Sequence, residues 1–178
     1  MPLANSLLFA PWHDFYVLLG SAAATLAGLL FVSITYGTGI LPDNAEKAIR
    51  VWGDPTLGDF VQVLSISALS LFPALDAWQL GIVLIIYDFF RFRLLLEVIQ
   101  HFKTLHDLEF EDWRDLVISP GLLYLSLAYC ALGLIWSWPW ASQGLGLYCL
   151  LLLLLGIKNS WQQVIWMVLE KNKRGKVE

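Results

Sequence analysis

Polar side chains that a purely lipid-facing helix has no use for recur within one apolar stretch, at Asp59, Gln62, Ser65, Ser67 and Ser70. On a helix these positions fall within a little over half of the circumference. Hydroxyl, amide and carboxylate groups set out in this way line water-filled paths through membranes. They equally pack against other helices, each serine bonding a carbonyl of its own preceding turn. Two ionisable residues lie within other apolar runs, Asp88 and Lys158. A charge inside a bilayer is costly and marks functional sites, so a contact between these two is one reading. The local reading pairs Asp88 with Arg91 at i+3 and Arg93 with Glu97 at i+4, and lets Lys158 reach the boundary along its own alkyl stem. Asp14 and Asp76 stand at the ends of apolar runs. Repeated around a symmetric ring, they would attract cations to its outer mouth.

Such residues need long apolar elements to hold them, and the composition supplies those. Of 178 residues, 58% are apolar and 15% charged, and the mean hydropathy is +0.65. That is the mix of an integral membrane protein and far from a soluble domain. The net charge of -4, with basic residues in short clusters beside apolar runs, leaves no footprint for nucleic acid. Cys130 and Cys149 both fall in apolar runs, where cysteine serves as a small packing residue and not as a disulfide framework. The opening MPLANSLLFAPWHDFY has no Lys or Arg and so lacks the basic start of a secretory signal. The first apolar segment is expected to be retained.

A bilayer core about 30 Å thick takes roughly 20 helical residues to cross. The expected fold is all-α, a membrane bundle with five spans near 14–37, 58–75, 77–97, 117–137 and 143–166. A four-span alternative treats 58–90 as one element. Cytoplasmic loops carry an excess of Lys and Arg, and the distribution is one-sided. Lys47, Arg50, Lys103, Arg114, Lys171, Lys173, Arg174 and Lys176 lie at one side, with Arg91 and Arg93 in the last turns of the third span toward that same side, and only Lys158 besides lies inside a span. The N-terminus is therefore expected outside and the C-terminus in the cytoplasm. Trp12, Trp78, Trp136, Trp138 and Trp140 then mark the outer boundary, and Trp52, Trp113, Trp161 and Trp166 the inner one.

In the first span Gly20, Ala24 and Gly28 recur at i, i+4 and i+8, flanked by Ser21 and Thr25. Small residues let backbones approach closely where lipid offers no hydrophobic drive for association. The face serves either packing inside the bundle or contact between subunits.

Trp12-His13-Asp14-Phe15-Tyr16 followed by LLGSAAATLAGLLFVS resembles the opening of a group of small, uncharacterised bacterial multipass membrane proteins. Their pattern is W-H-[DE]-F-[FY], then G-x-A-A-A-T-L-x-G-L-L-F-V. The closing GIKNSWQQVI is similar to theirs as well, with a small residue and Asn before a Trp. The resemblance covers the first span and residues 156–163, and is architectural in between. It implies a multipass place in the bacterial inner membrane and transfers no catalytic residue.

The stretch between spans three and four departs from that group by being acidic. It holds Asp107, Glu109, Glu111, Asp112 and Asp115 against Lys103 and Arg114, and its region 98–116 reads as a cytoplasmic hairpin open to a partner protein. His101 and His106 lie there five apart, which matches no zinc signature. The basic tail 167–178 follows a face of Trp161, Val164, Ile165 and Val168 that suits the inner leaflet, near anionic lipid. There is no G-x-S-x-G elbow, glycine-rich phosphate loop, C-x-x-C or H-E-x-x-H. No enzyme, cofactor or metal site is expected. The leading expectation is a homo-oligomeric pore or cation channel in the bilayer. The alternative is a membrane adaptor that holds a cytoplasmic partner through its hairpin.

Overall fold

The computed structural model describes residues 8–38, 45–102 and 119–174, with side chains over 8–35, 56–93, 121–162, 164 and 165. Every regular element among these is helical. After a 3-10 turn at Ala10–Trp12 come α1 (His13–Thr38), α2 (Ala45–Ser70), α3 (Ala77–Phe102), α4 (Ser119–Ile135) and α5 (Ala141–Arg174). The hairpin 98–116 is helical as far as Phe102, and residues 103–118 lie outside the described ones.

Among the described residues, two helices are long and apolar enough to cross a bilayer by length and composition, over Ala10–Thr35 and Ala141–Gln162. The five-span count is thus met only in part. Shorter apolar stretches run over Thr56–Ser70 and Gly121–Ile135, each counted from the first described side chain of its helix. In α3, any stretch of bilayer length that starts at Ala77 takes in Asp88, Arg91 and Arg93.

The boundaries also move. The second span, expected over 58–75, ends at Ser70, because Pro73 disfavours helical geometry at Phe72 before it. Two backbone bonds, Phe72 N–H to Leu69 O at 3.2 Å and Leu75 N–H to Phe72 O at 3.2 Å, turn the chain instead. Asp76 then caps α3. Its backbone N–H donates to Gln79 Oε1 at 2.9 Å, while its carbonyl accepts from Leu80 N–H at 3.0 Å. This is half of a capping box, with Gln at the third helical position reaching back to the cap.

The chain divides into two compact units. One comprises Asp14–Ala68 and Cys149–Glu178. Its interior is built from Tyr16, Leu19, Ala23 and Leu30 of α1, Phe60, Val63 and Ile66 of α2, and Leu152 and Leu153 of α5, all buried. Glycine makes the close approaches. A methyl on Gly156 would stand 2.6 Å from the Phe60 ring, and one on Gly20 would stand 3.1 Å from Ser67 Cβ.

The other unit comprises Met1–His13 and Leu69–Tyr148, and in it α3 packs along α4. A methyl on Gly81 would stand 2.7 Å from the carbonyl oxygen of Ala131, so the backbones nearly touch there. Helix α4 ends in a Schellman motif. Ser137 N–H bonds Leu134 O at 3.1 Å, and Trp138 N–H bonds Gly133 O at 2.8 Å. The reversal puts Ser137 at φ 54°, a left-handed conformation that glycine would adopt without cost. Around it the rings of Tyr129 and Trp140 stack at 4.9 Å, with Trp138 5.1 Å from Trp140 and Trp136 5.5 Å from Trp138.

Exposed large apolar side chains occur on all five helices, among them Leu18 and Phe31, Val61 and Leu64, Ile86 and Phe90, Leu122 and Leu125, and Leu147 and Leu154.

Candidate assembly face on the first helix

Helix α1 has two unlike sides. Tyr16, Leu19, Ala23 and Leu30 are buried, and Gly20 joins them against Ser67. Ser21, Ala24, Thr25 and Gly28 are exposed, and nothing lies within 4 Å of where a Gly28 side chain would begin. The small-residue stripe read from the sequence is therefore divided between the two sides. Gly20 packs inside the unit, and the other four positions face outward.

The outward side has a longer order than the stripe alone suggested. Asp14, Leu18, Ser21, Thr25, Gly28, Val32 and Thr35 are all exposed, and they succeed one another at spacings of 4, 3, 4, 3, 4 and 3. That alternation is the spacing a left-handed helix pair uses at its seam, where a 3.5-residue repeat keeps one face toward a partner. Only 22% of the apolar window of α1 is buried, against 50% for α5. The hydroxyls on the seam are satisfied within the helix: Ser21 Oγ donates to Val17 O at 2.7 Å, Thr25 Oγ1 to Ser21 O at 2.9 Å, and Thr35 Oγ1 to Phe31 O at 2.9 Å. With their protons used internally, these residues present small, locally satisfied surfaces that suit close packing. Leu18, Val32, Thr35 and Asp14 are the seam members that the glycine spacing did not point to. The 4-3 alternation was present in the sequence, but only the burial of the opposite side shows that it faces out.

The polar positions of α2 lie mostly on its inner side. Gln62, Ser67 and Ser70 are buried, Asp59 is half-buried, and Ser65 is exposed. Phe60, Val63 and Ile66 are buried among them, so the polar groups alternate with apolar ones. Ser67 Oγ has no hydrogen-bond partner. This arrangement suits helix packing better than the lining of an open path.

Asp14 is exposed in the first turn of α1, where a carboxylate favours the helix dipole. Asp76 is half-buried at its cap position. Asp88 is half-buried beside Arg91, its Oδ1 without a hydrogen-bond partner. Lys158 is exposed and belongs to the other unit. Cys130 and Cys149 are free thiols in buried positions. Among the described residues no group of His, Cys, Asp and Glu could hold a metal ion. The side chains of His101, His106 and the acidic hairpin fall outside the described residues.

No family model, no curated protein and no solved structure matches the chain.

Proposed function

We propose that this is a multipass integral membrane protein that assembles with copies of itself through the exposed seam of α1 and carries a cation path in the assembly. The observation that carries the reading is the seam: seven positions in heptad order, exposed along their whole length, on a helix whose other side is buried. A single helix in lipid needs only apolar bulk, whereas small residues in heptad order serve a second helix. Membrane insertion is supported by the apolar side chains exposed on every helix, more than a water-soluble monomer tolerates. The one-sided basic residues support an N-terminus outside and a C-terminus in the cytoplasm. The three further spans belong to this proposal, as does a place in a bacterial inner membrane.

Cation passage rests on Asp14, which closes the seam at its expected outer end. Copies arranged around an axis repeat this carboxylate at the mouth and concentrate cations there. Asp14→Asn and Asp76→Asn are expected to lower cation-over-anion selectivity in planar-bilayer recordings. Asn caps a helix about as well as Asp, so the Asp76 substitution removes charge and keeps the turn.

Disulfide trapping in native membranes tests the seam itself, in a background with Cys130 and Cys149 replaced by Ala. Thr25→Cys and Gly28→Cys are expected to cross-link copies on mild oxidation, whereas Ser33→Cys, about 110° around the helix from the seam, is not. Equal cross-linking at all three positions would argue for random collision in the membrane and against the seam.

A further inference from the structure

On α3, Ile82, Ile86, Phe89 and Phe90 are exposed along one side, and exposed Arg93 follows on the same side at the limit of the described side chains. The Arg93 guanidinium carbon lies 5.7 Å from the centre of the Phe89 ring, and Phe89 meets Phe90 edge to face at 6.3 Å. The neighbouring cation differs. Arg91 is half-buried about 160° around the helix from Arg93, and Asp88 stands beside it. Its charge is offset locally, which leaves Arg93 as the cation of the outward side among the described side chains of α3.

Depth decides what such a cation meets. Sixteen residues at 1.5 Å each place Arg93 roughly 24 Å along the axis from Ala77, the expected outer end of the span. A bilayer core is about 30 Å thick, and an arginine stem covers the remaining distance. The guanidinium then reaches the phosphates of the inner leaflet, while Ile82, Ile86 and Phe90 lie at acyl-chain depth. Held over a ring face, a guanidinium keeps its in-plane N–H groups for two-point contact with phosphate oxygens.

We propose that this face binds one anionic phospholipid of the inner leaflet, its phosphate on Arg93 and an acyl chain along Ile82, Ile86 and Phe90. The proposal rests on the membrane reading above. Net negative charge on the headgroup distinguishes the ligand from a zwitterionic lipid, because the cation it meets has no offsetting carboxylate among the described residues of α3. Glu97, four residues beyond Arg93, lies outside the described side chains and is the competing acid to remove.

The test is titration of delipidated protein with phosphatidylglycerol or phosphatidylcholine, read by native mass spectrometry as bound lipid. Phosphatidylglycerol is expected to bind at one saturable site, and Arg93→Gln to weaken it about fivefold, near the worth of one basic residue at a charged surface. Arg93→Lys restores part of the binding, and Glu97→Gln tightens it. A variant with Lys171, Lys173, Arg174 and Lys176 changed to Gln retains the site, which separates it from attraction to the tail. Equal binding of both lipids, or Arg93→Gln binding like the unaltered protein, overturns the proposal. Release of the protein from membranes by alkaline wash would instead overturn the membrane reading on which it rests.

Discussion

Ser137 holds the turn between α4 and α5 in a left-handed conformation, φ 54°, that costs an L residue about 1 kcal/mol or more. Ser137→Gly is expected to raise the thermal midpoint by a few degrees, since the Schellman bonds to Leu134 and Gly133 stay in place. Gly81 has the opposite constraint. Its missing side chain is what lets α3 approach the Ala131 carbonyl, and a methyl there would stand 2.7 Å from that oxygen. Gly81→Ala is expected to cost about 1–3 kcal/mol through overpacking, despite the better helix propensity of Ala. Both are checked by thermal unfolding in one detergent. A neutral Gly81→Ala would mean that α3 and α4 can separate without loss.

At the scale of the element, α1 was the most legible. The apolar run 14–37 and the helix His13–Thr38 agree closely, since one uninterrupted apolar segment has an unambiguous period and length. Helix α2 was less so, because its first turns, AEKAIRVW, are helical through good formers without being apolar, and hydropathy is silent on them. Helix α5 likewise runs on to Arg174, through most of a stretch read as a basic tail. For the candidate site, residue type pointed to Ser21, Ala24, Thr25 and Gly28, but type cannot tell inside from outside. Gly20 and Gly28 look equivalent in sequence, yet one rests on Ser67 and the other meets open space. Gly28→Leu follows from that difference. It is expected to weaken assembly while leaving helical content and the unit's interior intact, a contrast that circular dichroism and native mass together read.

For the whole molecule, apolar side chains face outward from all five helices, while small residues at Ser21, Ala24, Thr25 and Gly28 lie exposed midway along α1. The first condition is met by a bilayer and the second by another helix, and self-assembly in the membrane meets both. The native mass of the purified protein in a mild detergent or nanodisc tests this most directly. A discrete multimer of the 20.1 kDa chain that Gly28→Leu dissociates is the expected result. A stable monomer across a wide range of concentration, unchanged by Gly28→Leu, would contradict it, return the outward side of α1 to contact with lipid, and remove the basis for a self-assembled cation path.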